Sequence, residues 1–160
     1  MLRQILCSGQ TGAERAALDA ALELKFPHGG FCLRGRLAED GHIHCCYQLE
    51  DSKSDPLSVV NANVEYSDAS VIFYQAFLTK TLESTLLHAI EQGRPYKLID
   101  MEYLSPEQAA GCLEGFVQAH ELELLNITGP TANDCPQAYD YVLQVINRLL
   151  HCYRPLSLDI

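Results

Sequence analysis

The chain has 160 residues, 48% of them hydrophobic and 20% charged, a balance that suits one globular domain and excludes a disordered or collagen-like polypeptide. Twenty-one acids against eleven bases give a net charge of −10, which excludes the basic face that nucleic-acid and anionic-membrane binders need. No apolar run approaches the roughly 18 residues that span a bilayer, and Met1 to Cys7 is too short an apolar stretch for a signal peptide. The expectation is a soluble, cytoplasmic, single domain over 1–160, with neither nucleic acid nor membrane among its partners.

The charges are unevenly spread. No Lys or Arg lies between Leu98 and Asn147, whereas Asp100, Glu102, Glu107, Glu114, Glu121, Glu123, Asp134 and Asp140 do. Side chains that could hold an anion are therefore Arg15, Arg34, Arg36 and Lys80 of the first half. The seven cysteines form no C-x-x-C pair and read as reduced thiols. His42-Ile43-His44-Cys45-Cys46 gathers soft ligands suited to zinc or copper. Adjacent cysteines seldom share one ion, however, and nothing distant completes a set, so residues of a short strand are the plainer reading.

In chain order, Leu2 to Cys7 reads as a buried strand that ends in Ser8-Gly9-Gln10-Thr11-Gly12. Ala13 to Lys25 follows as a helix with Ala17, Leu18, Ala21 and Leu22 on its apolar face, and Thr11 with Glu14 has capping-box spacing. Phe26 to Ser58 reads as a long loop with room for a short strand near Phe31 or His44. Ala69 to Tyr74 is β-branched and aromatic, the clearest strand. A helix over Thr81 to Gln92 closes at Gly93, a strand runs from Tyr96 to Met101, and Ser105-Pro106-Glu107-Gln108 opens a third helix. Leu122 to Ile127 is a strand, and Pro136 to Tyr153 the last helix.

Strands joined by helices require crossovers, so the chain is expected to be α/β, with a mostly parallel sheet of five or more strands between two helical layers. Ligands of such sheets bind at the carboxyl ends of the strands, near the reversal in strand order. That rule selects Ser8 to Gly12, Gln75 to Thr81 and Thr128 to Asp134. The first loop matches neither G-x-G-x-x-G nor the P-loop, and a tight turn with a helix cap is its plain alternative. Arg15 and Asp19, one helical turn apart, suit a surface ion pair. The stretch Gly29 to Gly41, rich in Gly and containing Arg34 and Arg36, reads as a phosphate loop or as a solvated loop whose charges neutralise each other.

Ser8-Gly9-Gln10-Thr11-Gly12 with Ala13-Glu14-Arg15-Ala16-Ala17-Leu18-Asp19-Ala20-Ala21 resembles the opening of the molybdenum carrier (molybdenum cofactor carrier protein) family. His28-Gly29-Gly30-Phe31-Cys32 through Gly35-Arg36, Ala38-Glu39-Asp40-Gly41 and Ile43 is similar to its second motif. Asn63-Val64 with Ser67-Asp68-Ala69, and Leu125-Asn126-Ile127-Thr128-Gly129-Pro130, resemble its later signatures. The resemblance implies a Rossmann-like fold related to lysine-decarboxylase-like nucleotide-binding proteins, assembly as a homo-oligomer, and the molybdenum cofactor, a phosphorylated pterin, as ligand. It places Gly9, Gln10, Thr11 and Gly12 in the first phosphate loop with Arg15 beside them, and Arg36 and Asp40 in the second.

The sequence departs from the family pattern in places. Ser8 replaces a Gly, and the Gly-Gly-Thr expected after the third strand is Thr79-Lys80-Thr81-Leu82. Either Lys80 replaces the lost amides with a charge, or this loop no longer binds what relatives bind. Three functions remain open: a non-catalytic carrier of a phosphorylated pterin, a nucleotide-processing (phosphoribohydrolase-like) enzyme, and an oligomeric scaffold. No catalytic residue is assigned, and only Glu83 resembles the acid of the enzyme loop. The carrier reading expects Arg36→Ala to weaken phosphate binding without harming the fold, and a bulky residue at Gly9 to block the ligand. Self-association is expected from the last helix, whose Tyr139, Tyr141, Val142, Val145, Ile146, Leu149 and Leu150 cover more than one face. The alternative is that the sheet and the tail Pro155 to Ile160 take up that width.

Overall fold

The computed structural model describes residues 1–154. In chain order the elements are β1 (Gln4–Leu6), α1 (Ala13–Glu23), β2 (His28–Gly29), β3 (Phe31–Leu33), β4 (Leu37–Ala38), β5 (Gly41–His42), β6 (Glu50–Lys53), α2 (Pro56–Tyr66), β7 (Ala69–Tyr74), α3 (Lys80–Glu91), β8 (Tyr96–Asp100), α4 (Pro106–Ala119), β9 (Leu124–Thr128) and α5 (Ala138–His151). The main sheet is five-stranded and parallel throughout, in the order β2-β1-β9-β7-β8. Helices α1, α4 and α5 pack together on one face, α2 and α3 on the other. This is the Rossmann-like three-layer α/β sandwich expected.

The position of β9 fixes where a ligand can sit. The last strand of the chain lies at the centre, so counting from β9 through β1, β2, β7 and β8 gives the 3-2-1-4-5 order of a doubly wound sheet. Strand order reverses at β9, and the loops after β1, β9 and β7 meet there.

Helix α1 reaches the sheet and α5 closely because Ala13, Ala16, Ala17, Ala20 and Ala21 are all buried, while Leu22 of the expected apolar face is exposed. Helix α5 spends its apolar width on this layer: Val142, Val145, Ile146, Leu149 and Leu150 are buried against α1 and α4. That packing accounts for the feature behind self-association through α5. Exposed apolar side chains lie instead on α3 and β8, at Leu87, Ile90, Tyr96 and Leu98. The expected tail, Pro155 to Ile160, falls outside the described residues. No described helix is long and apolar enough to cross a membrane.

The long loop expected from Phe26 to Ser58 is more ordered than its composition implies. It forms the parallel pair β3–β6, the hairpin β4–β5 and the start of α2. Asp55 caps α2 through Ser58 N at 2.9 Å, with Pro56 in the first turn. Asn63 fastens this insertion to α2. Its Oδ1 accepts from Phe31 N at 2.9 Å, and its Nδ2 donates to Phe31 O and Val59 O.

Asn63 is 3% exposed, so losing it strands buried backbone groups. Asn63→Ala should cost about 2–4 kcal/mol of stability, read as a lower urea midpoint. An unchanged midpoint would show that the insertion is held by other contacts.

Candidate functional site

The turn after β1 binds an anion that the protein itself supplies. Ser8 N and Ser8 Oγ donate to Glu14 Oε1 at 3.3 and 2.8 Å, and Gln10 N donates to Glu14 Oε2 at 3.3 Å. Both oxygens thus take backbone N–H groups of the turn that precedes α1, while the first amides of the helix go elsewhere, Ala13 N to Pro130 O and Arg15 N to Gln10 O. The expected capping box is therefore absent: Gly12 is the N-cap without a side-chain bond, and Glu14 reaches back to Ser8 and Gln10. Glu14 is 7% exposed, and burial pushes its carboxyl above its usual range, opposed by the donors of Ser8, Gln10 and Thr128.

The glycines of this turn answer to the chain's own packing. At Gly12 (φ +76°) an added Cβ would lie 2.4 Å from Pro130 O, and at Gly9 (φ +78°) 2.6 Å from Leu49 Cδ1. A bulky residue at Gly9 would thus also collide with the hydrophobic cover from Ile43 and Leu49.

The second motif docks onto the first. Gln10 Nε2 donates to Leu37 O, and its Oε1 accepts from Glu39 N. The Thr11 hydroxyl donates to Glu39 Oε1 at 2.6 Å and accepts from Ala132 N at 3.0 Å. The same Glu39 oxygen accepts from Asn133 N at 3.0 Å. Burial pushes the Glu39 carboxyl up, but the hydroxyls of Thr11 and Thr131 and the Asn133 amide together outweigh it and hold the carboxyl below its usual range. Arg15 pairs with Asp40 at 3.0 Å and donates to Gly9 O at 3.0 and 3.2 Å; its bond holds the Asp40 carboxyl low. The expected Arg15–Asp19 pair is not formed, because Asp19 accepts from the hydroxyls of Tyr47 and Tyr139. Burial and that carboxylate push Tyr139 up to about 12.

Arg36 is fully used inside its own loop. Its guanidinium donates to the carbonyls of Ile43, Leu49, His44 and Tyr47 at 2.7–3.2 Å, clamping residues 43–49 around it. Of the nearby side chains Ile43 is buried, whereas His42, His44, Cys45 and Cys46 are exposed. Among the described residues no cluster of three or more His, Cys, Asp or Glu side chains could hold a metal ion, and all seven cysteines are free thiols.

A cavity of about 240 Å³ opens where strand order reverses, between α2, α3 and the carboxyl ends of β1 and β9. Its polar lining is Ser8, Gln10, Glu14, Asn63, Thr79, Thr81, Thr85, Asn126, Thr128, Thr131 and Asp134. Leu33, Pro56, Val59, Val60 and Leu82 form its apolar wall. A groove lined by Pro56, Leu57, Val60, Lys80, Thr81 and Ser84 continues from it over the start of α3. Of the residues expected from sequence, Gln10 and Thr81 line the cavity and Lys80 lines the groove. Gly9, Thr11, Gly12, Arg15, Arg36 and Asp40 brace the surrounding loops and do not line it. The lining residues that sequence reasoning missed are chiefly Glu14, Asn126 and the α2 side chains Val59, Val60 and Asn63. Glu83, the only match to the acid of the enzyme loop, is exposed and outside the lining.

Residues 5–150 match the model of the "Circularly permutated YpsA SLOG family". The central place of the last strand is what such a permutation produces. The chain belongs to this family. It is also similar to the crystal structure of a Syntrophus aciditrophicus SB protein named "Putative molybdenum carrier protein": 34% identity, 93% of this chain and 95% of that chain covered, and a TM-score of 0.89. No curated protein matches the chain. The likeness to that structure matches the Rossmann-like fold described above.

Two outcomes separate bracing from binding. Arg36→Ala removes a donor from four carbonyls, of which His44 O and Tyr47 O keep a backbone partner, and should cost about 1–3 kcal/mol, contrary to the expectation that it spares the fold; a urea midpoint equal to wild type would restore that expectation. The raised carboxyl of Glu14 means that the native chain holds this proton more tightly than the unfolded chain. Its contribution to stability is complete below the ordinary value of 4.5 and is lost as pH rises through the folded-state pKa. The stability of wild type relative to Glu14→Gln should fall accordingly from about pH 4 upward, and a gap that stays constant to about pH 8 would contradict it.

Proposed function

We propose that the protein is a non-catalytic carrier that holds a phosphorylated pterin, the class to which the molybdenum cofactor belongs, in the cavity between α2 and α3. The observation that carries this reading is the cavity itself. It lies at the carboxyl ends of the strands where their order reverses, and combines an apolar wall with converging hydroxyls and amides. The Syntrophus aciditrophicus protein is named a molybdenum carrier, which supports the carrier part of this reading.

The donor set fits the two parts of such a ligand unequally. Leu33, Val59, Val60 and Leu82 provide flat apolar contact for a ring, and Gln10, Asn126 and the threonine hydroxyls provide directional bonds. Among the described residues no Lys, Arg or Cys lines the cavity, so the cation they offer a phosphate is Lys80 of the groove, beside the uncapped first turn of α3. Molybdenum, which supplies the redox chemistry of the cofactor, would travel on the pterin as cargo. The chain's own share is to bind, orient and shield the ring. Nucleotide cleavage is the weaker reading because Glu83 is exposed and off the cavity.

Protein purified from its own host and then denatured should release a pterin, identified by fluorescence and mass spectrometry. Release of a nucleotide or a ribose phosphate, or of no small molecule, would contradict the carrier reading.

A further inference from the structure

Two of the three strand-end loops are already occupied by the protein's own carboxylates. Glu14 takes the N–H groups of Ser8 and Gln10, and Glu39 takes that of Asn133 in the loop after β9. A phosphate brought to the Ser8–Gly12 turn would meet the Glu14 carboxylate inside a poorly screened cavity, where like charges repel strongly. The remaining cation-bearing end is the groove on α3. Among the described residues Lys80 enters no ion pair, and Pro56, Val60 and Thr81 are shared by groove and cavity. One ligand can therefore occupy both.

The inner end is rich in acceptors. Asn126 is 3% exposed; its Nδ2 donates to Ser70 Oγ at 3.0 Å, and its carbonyl oxygen, which accepts from no described side chain or loop amide, belongs to a residue that lines the cavity. Glu14, which lines the same cavity, accepts from two backbone amides that are fixed and from the Ser8 hydroxyl, which can rotate, and the Thr128 hydroxyl also faces it. A ligand N–H can replace a hydroxyl on the carboxylate without disturbing a backbone bond. A carboxylate and an amide carbonyl in one cavity suit two adjacent N–H donors on a planar ring. The 2-amino-4-oxopyrimidine edge has that pattern, and pterins and guanine share it.

We propose that Glu14 is a specificity-determining residue: with Asn126 it accepts from a 2-amino-4-oxopyrimidine edge at the inner end of the cavity, and it directs the ligand's phosphate outward to Lys80. The proposal rests on the ligand-binding reading above and adds the direction in which the ligand lies.

The test is equilibrium titration of wild type, Glu14→Gln and Lys80→Ala with a pterin, its phosphate ester, guanosine monophosphate and inosine monophosphate, which lacks the 2-amino group. Lys80→Ala should weaken the phosphate ester about tenfold and leave the unphosphorylated pterin unchanged. Glu14→Gln should weaken both pterins by a similar factor of about ten or more. Guanosine monophosphate should bind at least tenfold more tightly than inosine monophosphate, and its ranking against the pterin ester tells which ring the site serves. Circular dichroism of Glu14→Gln checks its fold, and Lys80→Ala, at an exposed position, tests the direction independently. The proposal is overturned if Lys80→Ala weakens both pterins equally, if Glu14→Gln spares the unphosphorylated pterin, or if the two nucleotides bind alike. Wild type that binds none of the four ligands would overturn the ligand-binding reading and this proposal together, whereas binding with the wrong variant pattern overturns the direction alone.

Discussion

A carboxylate that reaches back to the turn ahead of its own helix organises one end of this molecule. Glu14 extends from α1 to the amides of Ser8 and Gln10 and so occupies the donors of that turn. With those donors occupied, the turn becomes a platform. Arg15 ties to Gly9 O and to Asp40, Gln10 receives the β4–β5 hairpin, and Thr11 joins Glu39 to the loop after β9. The cavity beside the platform inherits an acidic, cation-free inner wall. Its polarity follows from this one interaction.

The permuted chain explains how such distant residues come together. Because the last strand takes the central position, Asn126 and Thr128 near the end of the chain face Ser8 and Glu14 near its start. Helices α2 and α3 then close the cavity from the opposite layer, with apolar side chains below and the Lys80 groove above.

Elements with strong local signals were legible in the sequence. The β-branched run Ala69–Tyr74 is a strand, and Ser105 with Gln108 forms a complete capping box at the start of α4. Helix α2 was hidden by polar surroundings, although Asp55-Pro56 with Ser58 is a sound N-terminal signal. The candidate site was less legible because it depends on long-range partners. Thr11 and Glu14 have capping-box spacing, yet each bonds elsewhere: Thr11 to Glu39 and Ala132, Glu14 to Ser8 and Gln10. Arg36 looked like a phosphate ligand, since a sequence cannot show that carbonyls of residues 43–49 surround it. Of the two residues marked by a departure from the family pattern, Thr81 lines both cavity and groove, and Lys80 beside it lines the groove.

Hydrogen–deuterium exchange with and without a phosphorylated pterin addresses the central claim most directly, because it reports which backbone amides the ligand covers. The account predicts slower exchange at the start of α3, residues 80–82, and along the cavity side of α2, with the amides of residues 8–12 unchanged because Glu14 already holds that turn. Slower exchange confined to residues 8–12, with α2 and α3 unaffected, would contradict it.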